Sequence, residues 1–338
     1  MTHSQTTGAR TFAGVVIWVC LWLQASSSAA ASDSPPVIGS IDFFGLHTVS
    51  EAAIRDHLPF KEGDALLDKS HRPDGAAIAK AVGVSQVTLA YICCTPEQKV
   101  MVYVGVAEKP ARQVHPLPAF TGTARLPDEM IRADDEMGAQ IREAISRGQA
   151  REDDSQGHAL GEYPPLRAVE QQVLDYARDH TALVSEVLAT CPDERQRAVA
   201  AEVLGYAPDK RVAAAALARA VRDPSDGVRN NATRALGVIA GYAAAHPELG
   251  IRIDPQPFVD LLNSVTWTDR NKGLFVLMQL TAGRDPELLK YVDQRARPAL
   301  IDMCRWKNPG HSTPACVILR RVVGLSEFSR VDDRSEVL

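Results

Sequence analysis

The histidines of this chain are the first candidates for chemistry, because histidine serves both as a metal ligand and as a general base. Nine of them are scattered along 338 residues, and no two stand four positions apart, as a helical zinc motif requires. The glycine-based motifs that bind phosphates or present a nucleophilic serine are also missing from the sequence. The sequence therefore predicts a protein that is not an enzyme and has neither a metal nor a cofactor.

Acidic residues form a second candidate site in the segment 126–146. Carboxylates in a cluster can bind a cation or act as acid and base. Apolar side chains recur at helical spacing in the same segment, so we interpret the carboxylates as the solvated face of a helix. The carboxylates in question are Asp128, Glu129, Asp134, Asp135 and Glu136.

The cysteines have no zinc-site spacing. Cys304 and Cys316 flank a turn between two predicted helices, which makes them the favoured disulfide pair. Cys93 and Cys94 are adjacent in a predicted strand, where neighbouring side chains point to opposite faces. We therefore expect buried thiols there, and at least one unpaired thiol once Cys191 is counted.

The N-terminus has the order of a secretory signal peptide. Arg10 precedes an unbroken apolar run from Phe12 to Leu23, and small residues follow up to Ala31. The run is too short to span a bilayer comfortably, although an uncleaved membrane anchor is the alternative. We predict a signal peptide at 1–31, cleavage after Ala31, and a periplasmic or secreted mature protein that does not span the membrane.

The stretch 37–110 has the element order strand, helix, helix, strand, strand. Alternating apolar residues mark the first strand, and Ser50 is a good N-cap for the first helix. In the last strand Val100, Val102, Val104 and Val106 share one face, which is typical of a half-buried strand.

This stretch resembles the POTRA domain, the polypeptide-transport-associated module of bacterial envelope proteins. The resemblance implies a small α+β domain that binds other proteins, often by adding a strand to its sheet edge; a generic α+β domain is the alternative. The matching residues are Ile41, Phe43, Gly45, Val49, Ser50, Gly63, Asp64, Val104, Val106, Glu108, Lys109 and Pro110.

The stretch 111–165 reads as a linker that carries one helix. Prolines and weak periodicity mark its start, and the polar residues 147–162 read as a flexible connection. In that interpretation Asp153, Asp154 and His158 are exposed.

From 166 to 328 one helical pattern recurs. Arg197, Ala200 and Leu204 are followed by Arg229, Ala232 and Leu236 at the same spacing. A unit repeated at a period of 20 to 50 residues predicts stacked helix pairs, an α-solenoid. The residues 329–338 are expected to form a flexible tail.

These repeats resemble the HEAT family and, within it, the bacterial HEAT-like repeats. In that family an aspartate and an arginine form a ladder between successive repeats, and Asp223 and Arg229 match both positions. Aligned on Leu280, the next copy has Trp267 and Gly273 at these places, which predicts an incomplete ladder. The fold class expected overall is α+β, a POTRA-like domain followed by an all-α HEAT-like solenoid.

Basic residues on the repeats suggest a surface for an acidic peptide. The net charge of −5 and the absence of a basic block argue against nucleic acid as the partner. The alternative is that Arg229 serves the ladder and the other basic side chains are solvated. The interaction candidates are Arg195, Arg197, Arg229, Arg234, Lys210 and Arg211.

Two classes of function remain open. The first is a non-enzymatic scaffold or adaptor in the bacterial envelope, binding a protein partner through an extended strand or an acidic peptide. The second is an accessory or regulatory subunit of an enzyme complex, since HEAT-like repeats also occur beside lyases that attach chromophores.

Overall fold

A small mixed sheet occupies the N-terminal part of the chain. The computed structural model describes residues 35–93, 95, 97–110 and 119–326. The predicted signal peptide at 1–31 and tail at 329–338 lie outside the described residues. The strands are β1 (Ile38–Phe44), β2 (Gln86–Ile92) and β3 (Val100–Ala107), and helices α1 (Glu51–Arg55) and α2 (Gly75–Val82) lie between β1 and β2. Together with the helices that follow, they confirm an α+β fold.

The sheet has the strand order β1-β3-β2. β1 runs parallel to β3, and β2 runs antiparallel to it. On one face Val102, Val104 and Val106 pack with Ile54 of α1 and Ile78 of α2.

The opposite face of β3 is buried as well, so the prediction of a half-buried strand was wrong. Met101 and Tyr103 on that face are at most 2% exposed because further helices cover them. Central strands that are covered on both faces carry apolar residues throughout, and β3 does so.

The rest of the described chain is mainly helical. α3 (Asp128–Ser146) precedes two short paired strands, β4 (Glu152–Asp153) and β5 (Leu160–Gly161). The eight helices that follow are α4 (Pro164–Thr190), α5 (Glu194–Gly205), α6 (Lys210–Ala220), α7 (Asp226–Ala245), α8 (Gln256–Leu262), α9 (Trp267–Leu280), α10 (Pro286–Cys304) and α11 (Pro309–Val322).

These helices pack in consecutive pairs. α4 packs on α5, α6 on α7, α8 on α9 and α10 on α11. The second helix of each pair also contacts the second helix of the next, so that α5, α7, α9 and α11 form one row. We call this row the inner row.

Local sequence explains where these helices begin and how closely they approach. The side chains of Asp193, Asp209 and Asp285 each accept two backbone N–H groups at a helix start. Small residues fill the contacts: a Cβ on Gly237 of α7 would stand 2.3 Å from the ring of Phe275 on α9. Glycine is therefore required where these two helices meet.

The sheet is packed against the last helices. Tyr103 of β3 stacks on Trp267 with ring centroids 5.3 Å apart, and its hydroxyl lies 2.6 Å from Nδ1 of His311. The hydroxyl of Thr88 donates to the carbonyl oxygen of Val265 at 2.6 Å. At Gly105 a Cβ would stand 2.0 Å from that same carbonyl oxygen. The sheet and the helices thus belong to one compact unit.

The stretch 147–162, predicted as a flexible connection, contains the β4–β5 hairpin. Asp153 and Asp154 are exposed as expected, but His158 is half-buried. Its Nδ1 lies 3.4 Å from Nζ of Lys210, and burial lowers the pKa of its ring to about 4. The prediction of an exposed His158 was wrong because tertiary packing brings the hairpin against α6.

Candidate functional site

Arginine side chains at the starts of the inner-row helices form a buried ladder. Arg197 of α5 binds both carboxylate oxygens of Asp223 at 2.8 and 2.9 Å. Arg229 of α7 binds both carboxylate oxygens of Asp269 at the same two distances. Bidentate pairs of this kind fix the relative position of the groups that they join.

The same arginines also donate back to the turn before their own helix. Arg197 donates to the carbonyl oxygen of Cys191, Arg229 to that of Asp223, and Arg270 to that of Ser264, each six residues earlier. The guanidinium of Arg270 lies over the ring of Phe44, 4.5 Å from its centroid. The same guanidinium is 3.7 Å from the carboxylate of Asp302, which also accepts the backbone N–H of Gly45.

The ladder therefore extends into a third helix pair, against the expectation. The sequence alignment on Leu280 placed Trp267 and Gly273 at the ladder positions, but the structural counterparts of Asp223 and Arg229 are Ser264 and Arg270. The alignment was wrong by three residues, because the counterpart of the fully buried Leu236 is the fully buried Leu277 and not Leu280, which is only partly buried. In the step that joins α7 to α9, the partner of Arg229 is Asp269, which lies in the first turn of α9.

The predicted basic strip is not present in the described structure. Arg197 and Lys210 are buried, with exposures of 3% and 6%. Lys210 donates to the carbonyl oxygen of Gly205 at 3.1 Å, and burial lowers its pKa to about 8. Arg229 belongs to the ladder, so of the six candidates these three have structural roles.

The remaining three candidates differ from one another. Arg195 pairs with Asp134 and Asp135 of α3 at 2.8 and 2.5 Å. Two carboxylates of the acidic segment thus form ion pairs within the chain. Arg234 pairs with Glu152 of the hairpin at 2.5 Å. Arg211 is exposed at the start of α6. Sequence periodicity does not reveal these partners, since they lie 60 to 82 residues away.

Three charged side chains stand at one level across the inner row. Asn231 of α7 donates to the carbonyl oxygen of Ala198 on α5, and Thr268 of α9 donates to the side chain of Asn230 on α7. One helical turn beyond Ala198, Asn230 and Thr268 come the three charged residues Glu202, Arg234 and Lys272. We call these three residues the charged row.

The charged row is partly covered by protein, and we use the word groove for the partly covered surface that it lines on α5, α7 and α9. All three side chains are half-buried, as is Phe275, which follows Lys272 by three residues on the same helix. The sequence contains no signal for this groove, because its residues lie on three different helices.

Electrostatics in the groove are governed by desolvation. Burial, together with the nearby Arg234, lowers the pKa of Lys272 to about 8. Burial raises the pKa of Glu202, although Arg234 opposes that shift. Burial alone would lower the pKa of Arg234, but the carboxylates of Glu152 and Glu202 outweigh it and raise the pKa. The charges of the row thus interact with one another.

Two members of the charged row have unused bonding capacity. Among the described residues the side chains of Glu202 and Lys272 form no hydrogen bond and no ion pair within 4.0 Å, and the side chain of Arg234 bonds only to Glu152. Charged groups whose pKa values are shifted by burial and by neighbouring charges concentrate at binding sites.

Trp306 and most of the cysteines described here contribute to the core or to a disulfide. Trp306 is 1% exposed and packs on Phe44 and Tyr103, so it belongs to the core. Cys304 and Cys316 form a disulfide between α10 and α11, and Cys191 is a buried free thiol. Cys93 is exposed and disulfide-bonded, so the expectation of a buried thiol there was wrong. β2 ends at Ile92, before this residue.

Over the described ranges, no group of three histidine, cysteine, aspartate or glutamate side chains is placed to hold a metal ion. None of the helices described here has the length and apolar character needed to cross a membrane. Comparison with known protein families and with curated proteins finds no match to this chain.

Proposed function

We propose that the protein is a non-enzymatic scaffold of the bacterial cell envelope that binds another protein along its inner row. In this proposal the pairs from α4 to α11 are a HEAT-like solenoid, and the sheet with α1 and α2 is a POTRA-like module. The observation that carries the proposal is the charged row, where the half-buried side chains of Glu202 and Lys272 form no hydrogen bond or close ion pair among the described residues.

The arginine ladder supports this function because it makes the groove rigid. Binding costs less when the surface does not have to be ordered first. Arg197 with Asp223 and Arg229 with Asp269 fix α5, α7 and α9 relative to one another. The residues of the groove therefore keep their spacing in the absence of a partner.

The position in the envelope rests on two observations. The apolar run from Phe12 to Leu23 has the order of a secretion signal. The buried disulfide between Cys304 and Cys316 fits an oxidising compartment, where structural disulfides persist. Both support a periplasmic or secreted location.

The sheet offers a second mode of contact within the same function. β2 lies at the edge of the sheet order, and of its seven residues only Val87 is buried. An extended segment of a partner can pair with such an edge through its backbone. This mode requires no particular side chain on β2.

Site-specific photo-crosslinking in living cells tests the scaffold function. A photoreactive amino acid at Asn271, half-buried in the groove, is compared with the same amino acid at Ala218, exposed on α6. We expect a defined protein adduct at position 271 only, and direct binding when that protein is purified and added to this one. Equal adducts at both positions, or none at 271, would refute the proposal.

A further inference from the structure

A cavity of about 140 Å³ lies between α4 and α6, the first helices of two neighbouring pairs. Most of its wall is apolar, and the apolar residues from the two helices are Leu188, Ala189, Ala216 and Ala220. An apolar cavity of about 150 Å³ is large enough to bind benzene. The space between α4 and α6 therefore has room for a group of about six carbon atoms.

Small side chains leave this space open. Ala216 and Ala220 line the cavity from α6 and are 8% and 5% exposed, and Ala189 lines it from α4. Protein interiors are packed as densely as organic crystals and rarely keep voids larger than a water molecule. Ligand sites, in contrast, are typically apolar cavities that carry a few polar groups. The space between α4 and α6 has this character.

Fixed groups close the cavity on the side of the arginine ladder. The ring of Phe120 forms one wall, and the guanidinium of Arg197 lies over that ring, 3.8 Å from its centroid. Two residues later the N–H of Gly122 donates to the carbonyl oxygen of Thr190, at the end of α4, at 2.8 Å. A Cβ on Gly122 would stand 2.0 Å from Oγ1 of Thr190, so this segment is packed tightly on α4. A ligand thus meets walls that do not have to be ordered on binding.

The cavity carries one positive charge that the described chain does not neutralise. Arg219 lines the cavity and is exposed in the last turn of α6, so the cavity opens to solvent at this side chain. Among the described residues its guanidinium forms no hydrogen bond and no ion pair within 4.0 Å. The one carboxylate in the wall belongs to Asp223, and Arg197 binds both of its oxygens. Arg197, Asp223 and Arg219 together therefore carry one net positive charge, and Arg219 presents it at the opening.

We propose that this cavity binds a small carboxylic acid whose branched or aromatic group fills the space between α4 and α6 and whose carboxylate is bound by Arg219. A free acid has this chemistry, and so does the C-terminal residue of a peptide that ends in phenylalanine or leucine. The cavity lies on α4 and α6 and not on the inner row, so this inference does not rest on the proposed scaffold function.

Titration of the full chain with 3-phenylpropanoate tests the inference, with the neutral 3-phenylpropanamide as the matched ligand. The ¹³C-methyl resonances of Ala216 and Ala220 report binding by NMR. We expect both resonances to shift with a Kd of about 1 mM or below. The acid should bind about threefold to fivefold more tightly than the amide, because an exposed charge pair contributes only modestly.

Two pairs of variants separate the apolar wall from the charge. Ala216→Leu fills the cavity and should abolish binding of both ligands, while Ala218→Leu, at an exposed position of the same helix, should not. Arg219→Gln should remove the preference for the acid and keep binding of the amide, while Arg211→Gln, at the other end of α6, should leave the preference unchanged. Arg219 and Arg211 are exposed, so a loss of folding does not produce the second result.

The peptide acetyl-Ala-Ala-Phe with a free C-terminus distinguishes the two sources of the ligand. Tighter binding of this peptide than of 3-phenylpropanoate assigns the cavity to a chain terminus, and weaker binding assigns it to a free acid. Absence of shifts at Ala216 and Ala220, or unchanged binding by Ala216→Leu, would overturn the inference. Equal binding of acid and amide, or a preference that persists in Arg219→Gln, would overturn the role of Arg219 and with it the proposed ligand class.

Discussion

The ion pair between Arg197 and Asp223 should be among the costliest in this protein to break from one side. Both side chains are almost fully buried, with 4% and 1% exposure, and two hydrogen bonds of 2.8 and 2.9 Å join them. Asp223→Leu would leave the guanidinium of Arg197 without its charge partner. Breaking a buried pair in this way costs about 3–5 kcal/mol.

The double variant Arg197→Met, Asp223→Leu should recover part of this loss, because an apolar pair removes the uncompensated charge. Recovery should be incomplete, since Arg197 also donates to the carbonyl oxygens of Cys191 and Pro192. A buried carbonyl oxygen that is left without its donor costs about 1–3 kcal/mol.

Urea denaturation followed by circular dichroism measures these free energies of unfolding. Asp175→Asn is the matched control, because Asp175 pairs with Arg178 where both side chains are about half exposed. That pair should be worth less than about 1 kcal/mol. Two results would show that the ladder does not hold the inner row together. In the first, Asp223→Leu lowers the free energy of unfolding by no more than the control does. In the second, the double variant loses more free energy of unfolding than the two single variants added together.

Three further predictions concern the sheet. Burial raises the pKa of Asp42 from 3.8 to about 6, so protonation of this carboxyl stabilises the folded state, and that stability is lost as the pH rises from about 4 to about 6. The loss is at most about 3 kcal/mol. Asp42→Asn should remove it, which urea titrations at pH 4 and 7.5 measure. Gly105→Ala should destabilise the protein by about 1–3 kcal/mol, because the new Cβ overlaps the carbonyl oxygen of Val265. The control Gly138→Ala in α3, where the nearest atom is 3.5 Å away, should stabilise it by up to about 1 kcal/mol. Thermal unfolding compares the two variants, and equal effects would contradict the close packing of the sheet on α9. Glu108 accepts hydrogen bonds from the backbone N–H groups of three successive residues, 47–49. Glu108→Ala should therefore accelerate amide hydrogen exchange at residues 47–49 and not in β2. Unchanged exchange at residues 47–49 would contradict a role of Glu108 in holding this turn.

Local sequence indicates most elements of this fold, although not the β4–β5 hairpin. Aspartate caps at 193, 209 and 285, prolines at helix starts and the period of apolar residues mark the helices within a few residues of their observed ends. These signals act over one or two turns, so a linear reading detects them. The order strand, helix, helix, strand, strand was predictable for the same reason.

The candidate site was not predictable, because it depends on contacts between distant parts of the chain. Arg195 and Arg234 look free in the sequence, yet acidic residues from α3 and the β4–β5 hairpin pair with them. The third step of the ladder was misaligned because Leu277 and Leu280 are alike in the sequence, and only burial shows that Leu277 is the counterpart of Leu236.

The sequence by itself determined the order of the elements in the mixed sheet and which segments of the C-terminal region are helical, since these properties arise from the backbone and nearest neighbours. The tertiary structure alone decided that β3 is covered on both faces and that Arg197 is buried. It also decided that Lys272 stands beside Arg234 in a groove. Burial and desolvation depend on which surfaces meet, and no local pattern encodes that meeting.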